Sequence, residues 1–183
     1  DQRRVHGIEF ETAVFTNLTQ DHLDYHKTFE NYLAAKMRIF AQARQAVVNR
    51  DDPHAQTILN GLTIPCKTFG IREQADISAS EIDITTRGVQ FDMHCPLGTI
   101  RMYVPIPGLF SVFNAMGAAA AAIQLGLPLS AVKNGIETMG SVSGRLEPLP
   151  TGGRNFTVLL DYAHTPDALE NILKTARGFA EGR

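Results

Sequence analysis

Strands that run into capped helices, one after another, constrain this chain more than any other feature. Ala13-Val14-Phe15-Thr16-Asn17 is an apolar strand, and Thr28 stands at the N-cap position of a helix predicted from Phe29 to Arg44. Ala46-Val47-Val48-Asn49 is a short buried strand ended by Asp51-Asp52-Pro53. A short helix from His54 to Leu59 stops at Asn60-Gly61, and Ile64 to Phe69 reads as the next strand. A helix between two strands carries the chain back to its starting end, so this alternation predicts a parallel sheet covered by helices.

Past residue 70 the pattern changes. Ile77–Thr86, Val89–His94 and Thr99–Val104 are short strands separated by the turn signals Arg87-Gly88 and Pro96-Leu97-Gly98. They predict a small antiparallel sheet. Pro105-Ile106-Pro107-Gly108 then breaks the chain ahead of a very apolar helix, Ser111 to Leu125, whose run Ala118–Ala122 permits close packing. Ser130 caps a predicted helix to Met139, and Gly144 closes the linker behind it. Phe156 to Leu160 is a strand, and Thr165-Pro166-Asp167 opens an amphipathic helix with Leu169, Ile172, Leu173 and Ala176 on one face. One strand and one helix cannot close a core, and both ends fall in mid-pattern, so the sequence reads as an excerpt of a longer protein. The fold class expected is α/β: a mostly parallel sheet with flanking helices, a small antiparallel sheet, and the start of a second α/β unit.

Apolar residues make up 44% and charged residues 20% of the 183, which excludes a disordered or fibrous chain. The net charge of −2 argues against a nucleic-acid binder. No apolar run reaches the roughly 18 residues of a membrane span, and no apolar leader follows Asp1-Gln2-Arg3-Arg4, so a cytoplasmic protein without a membrane partner is expected. Cys66 and Cys95 match no metal spacing and read as reduced thiols.

Three places can carry chemistry. Thr16-Asn17-Leu18-Thr19-Gln20-Asp21-His22-Leu23-Asp24-Tyr25-His26 follows a strand's C-terminal end, where α/β proteins place ligands, and its carboxylates and imidazoles suit a cation or a phosphate held through one. On composition alone it reads first as a solvated polar loop with local caps. Lys36 falls on the apolar stripe of its helix, near Tyr32, Leu33, Ile39 and Phe40. Such a lysine snorkels to water, pairs with a carboxylate such as Asp21, or loses its proton and takes up carbon dioxide as a carbamate. The third place is split among Asn114, Arg145 in Gly144-Arg145-Leu146-Glu147, and Asp161-Tyr162-Ala163-His164-Thr165-Pro166. An amide early in an apolar helix packs in the core or reads a base edge. A guanidinium behind a glycine suits a phosphate, and an acid and an imidazole before a helix N-terminus suit ribose and phosphates. There is no Gly-Lys dipeptide and hence no phosphate-cradling P-loop.

The stretch Thr16–His26, the segment Tyr32-Leu33-Ala34-Ala35-Lys36 and the run Asp161-Tyr162-Ala163-His164-Thr165-Pro166-Asp167-Ala168-Leu169-Glu170 together resemble the Mur ligases of bacterial cell-wall synthesis. The branch most resembled adds the third residue, meso-diaminopimelate or L-lysine, to UDP-N-acetylmuramoyl-L-alanyl-D-glutamate. The resemblance implies that residues 1–147 are part of the central ATP-binding domain, lacking its P-loop, and that residues 148–183 begin a Rossmann-like C-terminal domain. It implies Mg²⁺ and ATP, a carbamylated Lys36 and His22 as magnesium ligands, and Gln2 and Arg4 as contacts to the UDP-muramoyl-dipeptide. It also implies Asn114 as adenine reader, Arg145 and Asp161 at the phosphates and ribose, and His164 in the same nucleotide-binding turn. In the family's reaction ATP phosphorylates the substrate carboxylate, and the incoming amine attacks the acyl-phosphate.

The family's central-domain glutamate, its Ser-Ser-His stretch and its amino-acid-selecting motif do not occur in this sequence, so the chain alone is expected neither to hydrolyse ATP nor to ligate. Two other readings stay open: a ligase of the folylpolyglutamate synthase kind, and a non-catalytic binding module that retains the fold.

Overall fold

Val47 and Val48 are sequence neighbours whose side chains point to opposite faces of a sheet, yet both are fully buried. A strand buried on both sides needs a layer above and a layer below. The computed structural model, which describes residues 5–19, 27–140 and 142–180, supplies both. Its main sheet has six strands in sequential order: β1 (Phe10–Phe15), β2 (Ala43–Asn49), β3 (Cys66–Gly70), β4 (Ile77–Thr85), β5 (Gly88–Cys95) and β6 (Gly98–Val104). On one face Val48, Ala46, Ala13 and Phe15 pack with Leu33 of α1 (Phe29–Met37) and with Ala55 and Ile58 of α2 (Ala55–Gly61). On the other, Val47, Phe69, Phe91 and Met102 pack with Val112, Met116, Ala119 and Ala120 of α3 (Leu109–Gln124) and Val132 of α4 (Leu129–Glu137). Helix α3 lies across all six strands. Its small residues allow that: a side chain at Gly117 would press on the ring of Phe69.

The strands β1 to β4 run parallel, and β4–β5–β6 is an antiparallel meander. The antiparallel pairing falls where the turn signals placed it, but the meander is not a separate body. Phe69 pairs with Ile77 and Gly70 with Ser78, joining both halves into one mixed sheet. Gly88 makes the tight β4–β5 turn at φ +154°, where a Cβ would run into the Val104 carbonyl oxygen. A separate two-stranded antiparallel sheet follows, β7 (Glu147–Leu149) with β8 (Val158–Leu160), and the last helix is α5 (Pro166–Phe179).

Two predicted boundaries are corrected. Helix α1 ends at Met37, not Arg44; a 3₁₀ turn, Arg38–Gln42, leads into β2 at Ala43. The reason lies across the sheet. Phe10 pairs with Ala43, Arg44 faces Glu9 and Glu11, and Phe40 drops into the core, so tertiary pairing overrides the helical pattern. Ser130 does not cap α4. The amides of Ala131 and Val132 both donate to the Pro128 carbonyl, which places the helix start at Leu129 and Ser130 inside the first turn. Thr28 and Thr165 do cap α1 and α5, accepting from the amides of Asn31 and Ala168.

The edge strand β6 is closed by side chains. Lys133 of α4 donates to the Arg101 carbonyl and to Glu137, whose carboxylate accepts the Tyr103 amide. Arg101 and Tyr103 are two apart, so both turn backbone groups away from β5 toward the helix.

Candidate active site

The chain leaving β1 is tied down one residue at a time. Asn49, at the end of β2, donates its amide to the Thr16 carbonyl at 2.8 Å. Lys36 Nζ donates to the Asn17 carbonyl at 2.8 Å. The Leu18 amide donates to Asp52 Oδ2 at 2.8 Å. Lys36 is half-buried, with Nζ 5.8 Å from the centre of the Phe15 ring and 5.1 Å from that of Tyr32. Helix α1 therefore delivers this amine to the C-terminal end of β1, at the root of the Thr16–His26 stretch. Asp51 braces the next turn: its carboxylate accepts the amides of Ile71, Arg72 and Glu73. Burial alone pushes that carboxyl up, but the Glu73, Ile71 and Arg72 amides together outweigh it and hold it below the usual carboxylate range.

The second cluster forms where the linker meets the end of β8. Asp161 accepts the Leu146 amide on one oxygen, at 2.8 Å, and the Ala163 amide on the other, at 2.7 Å. Tyr162 donates its amide to the Gly144 carbonyl, and Glu147 accepts the Gly144 amide. These bonds hold Leu146, fully buried, at φ +43°, a backbone region rarely adopted by branched residues. Gly144, at φ +71°, makes the turn before it. His164 Nδ1 lies 3.0 Å from the Tyr162 carbonyl, a bond that needs the proton on Nδ1 and leaves Nε2 for a ligand. Its ring meets that of Tyr162 edge-on at 5.1 Å.

The structure thus brings Arg145, Asp161 and His164 into one turn. Arg145 and His164 are exposed there. Asn114 lies on the exposed side of α3, which removes the core reading of its amide, and no hydrogen bond among the described residues ties it to that turn. Gln2, Arg4, His22, Asp21 and the remainder of the stretch to His26 lie outside the described residues. Among the described residues, no three His, Cys, Asp or Glu side chains converge on a metal position. The donor chemistry at Lys36 fits Mg²⁺ in one form: an ammonium has no lone pair to give, whereas a carbamate presents two hard oxygens. In sequence, Asn49 and Asp51-Asp52-Pro53 mark only the end of a strand. The usable signal was an Asn-x-Asp-Asp run at the C-terminal end of a strand parallel to β1, because parallel strands gather those ends on one side of the sheet.

Residues 1–122 match the Mur ligase middle domain, and the chain belongs to that family. Over 184 residues it is 45% identical to a UDP-N-acetylmuramoyl-L-alanyl-D-glutamate–2,6-diaminopimelate ligase of Clostridium acetobutylicum, a match that covers 98% of this chain and 38% of the relative. A solved structure of a ligase with that name superimposes at a TM-score of 0.81 with 32% identity, covering 98% of this chain and 38% of that one. The MurF ligase of Thermotoga maritima in complex with ADP shares the fold at a TM-score of 0.79 and 18% identity, over 93% of this chain and 40% of its own. The chain spans about 38% of the length of the curated relatives it matches. No described helix is long and apolar enough to cross a membrane.

Proposed function

We propose that this chain is the ATP-handling part of a ligase that adds diaminopimelate to UDP-N-acetylmuramoyl-L-alanyl-D-glutamate through an acyl-phosphate. Of the two amines left open by the sequence, diaminopimelate is favoured because the relatives at 45% and 43% identity carry it in their names. The observation that carries the reading is Lys36, an amine fixed at a strand's C-terminal end with its nitrogen 2.8 Å from the Asn17 carbonyl. A neutral Lys36 amine attacks carbon dioxide, forms an N–C bond and releases a proton. The nitrogen keeps one hydrogen, so its bond to Asn17 survives the modification. Lys36 as carbamate and His22 would hold Mg²⁺. When bound, Mg²⁺ supplies charge neutralisation between two anions, the γ-phosphate of ATP and the substrate carboxylate.

The other roles follow the same reading. Arg145 contacts phosphates, Asn114 reads adenine, and His164 presents Nε2 to the nucleotide. Each oxygen of Asp161 accepts one amide and has a second lone pair for a ribose hydroxyl. Gln2 and Arg4 contact the UDP-muramoyl-dipeptide. Residues 1–147 belong to the central domain, and residues 148–183 begin the C-terminal one. The test is Lys36→Ala in the full-length ligase. Ligation falls at least about a hundredfold and added bicarbonate does not restore it, while ¹³C-bicarbonate labels the parent and not the variant. Near-parental turnover by the variant refutes the reading.

A further inference from the structure

The three backbone bonds after β1 do not have the same purpose. Only one of them involves the amine; the other two hold the residues on either side of Asn17. Asn49 and Asp52 are each 8% exposed, so water competes little for either bond. Each side chain is itself fixed at its other polar atom. Asn49 Oδ1 accepts the Asp51 amide at 3.0 Å, and Asp52 Oδ1 accepts the His54 amide at 2.8 Å and lies 3.1 Å from His54 Nδ1. With Thr16 held by its carbonyl and Leu18 by its amide, the peptide planes flanking Asn17 cannot turn, and its carbonyl has one direction.

We propose that Asn49 and Asp52 are positioning residues for Lys36: they aim the Asn17 carbonyl that orients Nζ and so set how firmly Lys36 keeps its carbamate. The inference rests on the reading of Lys36 given above. Carbamate formation from an amine and carbon dioxide is reversible, so occupancy follows how well the protein holds the product. Misaligning one hydrogen bond at a half-buried site changes such an equilibrium by about three- to tenfold.

The experiment uses the full-length ligase with ¹³C-bicarbonate as the probe. Asn49→Asp replaces the donor facing Thr16 with an oxygen, and Asp52→Asn weakens the hold on Leu18. Asp51→Asn is the comparison: its carboxylate is as buried, but it grips residues 71–73 and none of residues 16–18. The Asn49 and Asp52 variants are expected to need about three- to tenfold more bicarbonate for half-maximal ligation, with a weaker carbamate signal at fixed bicarbonate and an unchanged KM for ATP. Asp51→Asn loses stability but keeps the parental bicarbonate requirement. Should either variant fail to fold, Asn49→Ser takes its place with the same readings. Folded variants with parental bicarbonate dependence and signal overturn the proposal and leave Lys36 untouched. A parent without a carbamate signal overturns the earlier reading and this one with it.

Discussion

The six-stranded sheet and the small unit of β7, β8 and α5 organise their turns alike and pack very differently. In the first, Asp52 ties the amides of Leu18 and His54; in the second, Asp161 ties those of Leu146 and Ala163. The sheet behind Asp52 is closed on both faces, with Ala46, Val48 and Ile58 at no exposure on one and Phe69, Phe91 and Met116 at none on the other. Beyond Asp161 the apolar faces are open: Phe156 is 54% exposed, Leu169 51% and Leu173 60%. Leu169 and Leu173 lie one turn apart on the same uncovered face of α5. A few hydrogen bonds suffice to shape such a turn, whereas resistance to unfolding comes from the burial behind it.

That contrast can be broken by experiment on the 183-residue chain. Phe91→Ala removes a fully buried ring and is expected to cost about 3–5 kcal/mol in urea unfolding. A cost near that of a surface change would mean the sheet's core is not closed. Cys66 tests the same region chemically. Burial, aided by the Asp76 charge, pushes its thiol up to about 11, so little thiolate exists at neutral pH. Alkylation should run about a hundredfold slower than for free cysteine, and a rate equal to free cysteine would show β3 opening.

Asp51→Asn comes next, at about 1–3 kcal/mol, since it weakens the carboxylate that three backbone amides share. Because folding depresses this carboxyl, its contribution is whole above the ordinary carboxylate range and is lost as pH falls below about 4. Thermal melts of parent and variant should therefore converge in acid; a constant gap would deny the linkage. The smallest effect is Leu173→Ala, under about 1 kcal/mol. A loss as large as that of Phe91→Ala would mean that α5 is covered in solution.

Local signals carried much of this fold. Thr28 and Thr165 announced their helices, and Arg87-Gly88 marked the change from parallel to antiparallel pairing. The end of α1 was not legible, because what stops it is the pairing of Phe10 with Ala43 across the sheet. The strand-end site was half legible. Lys36 shows in the helical stripe, but Asn49 and Asp52 act on residues 33 and 34 positions away, so the Asn-x-Asp-Asp run marks a strand end without revealing what it holds. The left-handed backbone of buried Leu146 was likewise invisible, since nothing in a leucine predicts a positive φ.

The lysine and glutamate of α4 that occupy the outward groups of β6 give the sheet a one-sided boundary. A foreign strand approaching there meets side chains already engaged with the backbone, not a row of open donors and acceptors. Lateral growth at this edge, whether by orderly assembly or by aggregation in concentrated solution, is therefore opposed by the helix itself.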